Sequence, residues 1–151
     1  MLRQGVNVAL GTDGAASNHS QDLFDTMKAA SLLQKVQHQD AGVIKPYDVL
    51  RMATIGGAKA LGLESICGTI EVGKRADLIL VDLDTAHNQP VNDIFSQIVH
   101  CAKASDVQTV IINGEIVLRD RRLTRLDEKK ILADAKLANR DLMERVSGLS
   151  F

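Results

Sequence analysis

The chain has 151 residues, 45% hydrophobic and 25% charged, an ordinary balance for a globular protein and enough apolar material for one core or two small ones. With 18 basic against 19 acidic residues, a formal net charge of -1, 3% aromatics and no Trp, it lacks both the basic footprint and the stacking platforms of a nucleic-acid binder. Two cysteines, Cys67 and Cys101, form no Cys-x-x-Cys pair and no disulfide framework, so a reduced, cytoplasmic setting is expected.

The opening MLRQGVNVAL carries an apolar run too short and too interrupted for a signal peptide. No stretch is apolar enough for long enough to span a membrane. Val6 to Leu10 predicts a strand buried on both faces, ended by Gly11-Thr12-Asp13-Gly14. Asp22 then caps a helix over residues 22–38, with Asp25 favouring the positive end of its dipole. Leu23, Met27, Ala30 and Leu33 recur on one face, and Gly42 breaks the pattern.

Pro46 suits the first turn of a second helix, with a stripe of Val49, Ala53, Gly57 and Leu61 and a natural stop at Gly62. Gly56-Gly57 in its middle is costly unless it permits a kink or close packing. Residues 67–84 predict two strands joined by a turn at Glu71 to Lys74. A short helix is expected between Pro90 and Lys103. Residues 107–118 predict a hairpin, because Asn113-Gly114 accepts the positive φ angles of a type I′ turn. Asp127 and Glu128 open a last helix whose expected buried stripe is Ile131, Ala135, Ala138, Leu142 and Val146. The first strand stands apart. It needs neighbours on both sides, and the later strands are separated from it by two helices.

Asp13 is the foremost candidate for chemistry. Open and closed α/β folds place catalytic and metal-binding groups at the carboxyl ends of their parallel strands. Position alone equally allows an Asp that caps turn amides. The histidines are His19, His38, His87 and His100, and none has the spacing to clasp a metal by itself. His38 and His87 read as surface residues and His100 as a partly buried structural one. His19 shares the loop of Asp13, as do Ser17 and Ser20. No His–Asp relay accompanies either serine, and the glycines lack the spacing of a phosphate cradle.

The stretch VALGTDGAASNHSQDLFDTMKAASLLQK resembles the last barrel strand and following helix of the amidohydrolase superfamily. Within it, the match is to the branch of methylthioadenosine/S-adenosylhomocysteine deaminases and triazine or ethylammeline chlorohydrolases. VLRMATIGGAKALGL, GTIEVGKRADLILVDLD and VIINGEIVLRD continue the resemblance in order, so it covers nearly the whole chain. His19 departs from the Asn frequent in that branch.

The resemblance implies an α/β fold: the C-terminal portion of a (β/α)8 metal-dependent hydrolase barrel, part of a small β-sandwich and a C-terminal helix. The implied units are 1–62 for the last strand and its helices, 63–124 for the sandwich part and 125–151 for the helix. It implies that Asp13 is the strand-eight Asp, both catalytic and a metal contact, with Ser17 and His19 near substrate. The divalent metal, zinc in most of the family, would be held mainly by histidines on strands that this sequence lacks. The implied reaction of the complete parent is hydrolytic deamination of a purine nucleoside or an aminotriazine-like ring, with the isolated chain inactive. The alternative is a non-catalytic interaction or assembly module. A heterocyclic substrate, no nucleic acid, no membrane, and a homo-oligomer or pairing with the missing N-terminal part are the expected partners.

Overall fold

A computed structural model describes residues 1–147. Among these residues six α-helices, α1 (Ala15–Asn18), α2 (Leu23–His38), α3 (Pro46–Ala53), α4 (Ile55–Ala60), α5 (Ile94–His100) and α6 (Glu128–Ser147), accompany one sheet. Its strands are β1 (Leu78–Val81), β2 (Val107–Ile112), β3 (Glu115–Arg119) and β4 (Arg122–Leu123), in the order β1-β2-β3-β4 and antiparallel throughout. The end of the expected C-terminal unit, 148–151, lies outside the described residues.

The helices begin where their caps dictate. Asp22 Oδ1 accepts the Phe24 N–H at 2.8 Å and starts α2. Asp93 Oδ2 accepts the Ser96 N–H at 2.7 Å and starts α5, the short helix expected between 90 and 103. Pro46 occupies the first turn of α3. The apolar faces of α2, α3 and α5 meet in one core of Phe24, Met27, Ile44, Val49, Met52, Val99 and Ala102. Within α2 the buried positions are Phe24, Met27 and Ser31, whereas Leu33 is 66% exposed. The expected stripe was therefore rotated. The same holds in α3–α4, where Val49, Met52 and Gly56 face inward and Leu61 faces out.

The second helix is split at Thr54, whose φ of -117° and ψ of -98° leave the helical region. The break brings Gly56 against the backbone of the opening segment. A Cβ added at Gly56 would lie 2.7 Å from the Val8 carbonyl oxygen and 3.0 Å from that of Arg51. Both obstacles are main chain and cannot rotate away. Gly56→Ala is thus expected to lower stability by about 1–3 kcal/mol, the usual cost of overpacking, read as a lower urea midpoint at unchanged slope. An unchanged midpoint would refute the close approach.

Two strand expectations fail for one reason. Residues 6–10 form no hydrogen-bonded strand; Val6 is 49% exposed, and the Leu10 N–H goes to the Met52 carbonyl at 3.2 Å. Of residues 67–84, only β1 is a strand, and Ile70 and Val72 stand in solvent. A strand exists only with a partner ladder, and among the described residues neither 6–10 nor 67–72 has one. The turn expected at Glu71 to Lys74 does form, with the Lys74 N–H donated to the Glu71 carbonyl. The β2–β3 hairpin is as expected: Asn113 and Gly114 have φ of 50° and 82°. The α6 stripe also corrects an expectation, since Ile131 and Leu142 are 46% and 49% exposed.

His100 is the structural residue it was expected to be. Its Nε2 bonds the fully buried Ser31 hydroxyl at 3.0 Å and its Nδ1 the Ser96 hydroxyl at 3.2 Å. Burial, reinforced by Lys35 and Lys28 and partly offset by the Ser96 backbone, holds its pKa below the ordinary histidine value. The unfolded chain therefore binds the proton more readily. Stability from neutral His100 is full above about pH 6.5, the unfolded value, and is lost as pH falls through the folded one. Urea midpoints should decline across that window, and His100→Gln should flatten the decline.

Candidate active site

The opening segment enters the site loop with a fixed path. Asn7 donates its side-chain amide to the Gly56 carbonyl at 3.0 Å, and Leu10 is held to Met52 three residues before Asp13. Asp13 itself has φ of 59°, the left-handed region. That conformation is uncommon outside glycine, although Asp tolerates it better than most residues. Its Oδ1 accepts the Gly14 N–H at 2.7 Å, so the turn-capping role is real. Its Oδ2 takes no hydrogen bond among the described residues, and the side chain is exposed. One carboxylate oxygen fixes the loop and the other is open.

After Gly14 the chain makes the single-turn α1, ended by His19 with φ of 60°. Ser17 and His19 lie on this turn, both exposed, with their amides bonded to Gly14 and Ala15 carbonyls. The structure places Asp13, Ser17 and His19 in one loop. Among the described residues no hydrogen bond joins them. Ser20 is structural: its hydroxyl accepts the Asp22 N–H at 3.1 Å. His38 is exposed as expected. The free thiols Cys67 and Cys101 are partly buried and unpaired with one another.

His87 is exposed as expected, yet its ring also reaches a buried carboxylate. Its Nε2 lies 2.9 Å from Asp106 Oδ2, in a cluster with the fully buried Asn88. Asn88 donates to the same carboxylate oxygen at 3.0 Å and accepts from the Gln97 side chain at 3.1 Å. The cluster ties the loop after β1 to α5 and to the start of β2. Sequence spacing gave no sign of it, because the partners are 18 and 19 residues apart and lack any period.

No group of three His, Cys, Asp or Glu side chains converges among the described residues. Asp13 thus fits one place in a metal site, whereas a catalytic zinc site normally takes about three protein ligands. Two cavities flank the opening segment rather than Asp13. One of about 740 Å³ lies against Val8, Leu10, Leu33, Ile44 and Met52. The other, about 280 Å³, is bounded by Val6, Asn7, Arg51 and Gly56.

The described fold and its loop match known proteins. Residues 1–117 match the family model for the amidohydrolase family. The chain belongs to the amidohydrolase family. It is 48% identical to a 5'-deoxyadenosine deaminase of Methanosarcina barkeri over 97% of its own length and 34% of that protein. It is 49% identical to a 5-methylthioadenosine/S-adenosylhomocysteine deaminase of Acetivibrio thermocellus, over 90% of the chain and 32% of the relative. The crystal structure of a Xanthomonas campestris adenosine deaminase with bound zinc superposes with a TM-score of 0.90 at 38% identity, covering 98% of this chain and 33% of that one. A zinc complex of atrazine chlorohydrolase from Arthrobacter aurescens is more distant, with a TM-score of 0.83 at 27% identity over 90% of this chain and 30% of that one. The chain therefore spans about a third of the length of these relatives. Its fold is that of a C-terminal portion of an amidohydrolase barrel protein.

Proposed function

We propose that this chain supplies one carboxylate, Asp13, to the metal site of a hydrolase that deaminates 6-aminopurine nucleosides of the methylthioadenosine, S-adenosylhomocysteine or 5'-deoxyadenosine kind. The observation that carries the reading is the open Oδ2 of Asp13, held at the mouth of the segment by a backbone fixed at Leu10 and Gly14. Similarity to nucleoside deaminases at 48–49% identity, against 27% for the chlorohydrolase, favours the nucleoside over the triazine. The three units 1–62, 63–124 and 125–151, and a cytoplasmic setting, belong to the same proposal. The described part contains no helix long and apolar enough to cross a membrane.

A divalent metal, zinc by analogy, lowers the pKa of a coordinated water towards neutrality when bound. Asp13 Oδ2 would accept a proton from the attacking water as the water oxygen bonds to the ring carbon bearing the amine. The same carboxyl then returns the proton to the departing nitrogen as the carbon–nitrogen bond breaks, releasing ammonia. The fixed Oδ1–Gly14 contact keeps Oδ2 aimed through both transfers. Ser17 on α1 and His19 at its C-terminal cap, both exposed, are the side chains assigned to contact substrate.

Metal affinity of the chain by itself supplies a test. With a single carboxylate ligand, equilibrium dialysis should show no stoichiometric zinc at micromolar concentrations. One tightly held zinc per chain would overturn the assignment of the remaining ligands to the rest of the barrel. The assembly reading rests on a specific observation too, the apolar side chains of Ile70, Val72, Leu33 and Val36 left in solvent. Both readings agree that this surface is covered by another polypeptide segment.

A further inference from the structure

The loop from Asp13 to Gln21 is anchored at its entrance by Leu10 and Asn7. Within the loop every hydrogen bond found among the described residues is local: Gly14 to Asp13, the α1 backbone bonds, and the Asn18 side chain to the Ser20 carbonyl at 3.3 Å. Its exit is different. Asp22 uses both oxygens of one carboxylate. Oδ1 accepts the Phe24 N–H, which is all that a helix cap requires. Oδ2 accepts the Ala104 N–H at 3.0 Å, across 82 residues of sequence. The Asp22 N–H in turn goes to the Ser20 hydroxyl, so the last turn of the loop is tied to the same residue.

The receiving end is rigid. Ala104 opens a 3-10 turn, Ala104–Asp106, that leads directly into β2. Asp106 Oδ2 accepts the Lys103 N–H at 2.9 Å and is buried against His87 and Asn88. Hydrogen bonds therefore run from the site loop through Ser20 and Asp22 to Ala104, whose neighbour Lys103 is bonded to the buried Asp106.

We infer that Asp22 is a positioning residue: its second carboxylate oxygen ties the exit of the Asp13 loop to the turn before β2, so loop and sheet move as one body. This rests on the reading of Asp13 as the site carboxylate, and extends it to a residue that a helix cap alone would explain. Charge assistance makes the Asp22–Ala104 bond stronger than a neutral one. Asp22→Asn separates the two roles, because its single side-chain oxygen stays with the local Phe24 N–H and leaves the distant Ala104 N–H without an acceptor. Asp22→Ser keeps a capping oxygen and is too short to reach Ala104.

Amide hydrogen exchange of the whole chain, read residue by residue by NMR, decides the matter. In the unsubstituted protein the Ala104 amide should be protected. In both variants its exchange should rise by about tenfold, together with that of Asn18 and His19, while Phe24 and the α5 amides keep their protection. An unprotected Ala104 amide in the parent would overturn the tether. So would unchanged exchange at Asn18 and His19, or a uniform rise at all amides, which signals global loss of stability. The readout needs neither zinc nor turnover. A complete enzyme without deaminase activity would count against the proposed function and leave this tether standing.

Discussion

Asp13→Asn is expected to lower kcat by about two to four orders of magnitude, the range for removing a positioned general acid–base group. The setting is a chimaera in which this chain replaces the corresponding third of the Acetivibrio thermocellus deaminase, with methylthioadenosine as substrate and zinc present. Asn is the informative replacement. It retains an oxygen for the Gly14 N–H, and it tolerates the left-handed φ of 59° that Asp13 adopts. Loop shape is thereby kept while the proton acceptor is lost. KM should change little, because the proton transfers occur between bound states. Asp13→Ala should cost at least as much turnover and also loosen the loop. An Asn variant within threefold of the unsubstituted chimaera would remove Asp13 from the chemistry. A chimaera inactive before any substitution, yet folded and zinc-loaded, would remove the deaminase reading.

What the sequence revealed divides along a physical line. Features determined by neighbours a few residues away were legible: the Asp22 cap, Pro46 at a helix start, the Asn113-Gly114 turn. Features that depend on a distant partner were not. Residues 6–10 have the composition of a doubly buried strand and remain unpaired, since composition reports the environment for which a segment is suited and not whether that environment lies in the same chain. Ile131 and Leu142 of α6 repeat the point at helical period. The buried face of α2 includes Ser31, which is bonded to His100, a polar contact that an apolar stripe cannot express. For the proposed site, the turn at Asp13 was legible from its place after an apolar run. The second bond of Asp22 and the Asp106 cluster were not, because hydrogen bonds across 82 or 19 residues leave no periodic trace.

That cluster carries the other large effect. Asp106→Ala should destabilise the chain by about 3–5 kcal/mol, the range for breaking a buried, charge-assisted network. One oxygen, Oδ2, accepts from His87, Asn88 and the Lys103 backbone, at 2.9, 3.0 and 2.9 Å. Removing it leaves the fully buried Asn88 amide with an unpaired N–H, its other bond being to the Thr85 hydroxyl, and takes the acceptor from the Lys103 N–H. Asp106→Asn should cost less, since an amide oxygen can take the place of Oδ2 and only the charge is lost. The pH dependence separates the two contributions. Burial by itself raises the Asp106 pKa, but the hydrogen bonds from His87, Asn88 and Lys103 and the proximity of His87 outweigh it, and the group sits below its ordinary value. A depressed carboxyl contributes stability that is fully present above its unfolded value, about pH 4, and is lost as pH falls through the folded value. Urea midpoints of the unsubstituted chain should therefore fall on acidification below about pH 4, and Asp106→Asn should remove part of that slope. A cost below about 1 kcal/mol for the Ala variant, the scale of a single exposed contact, would mean that the loop after β1 is held by packing, and that Asp106 is a passenger in the turn to which Asp22 is tied.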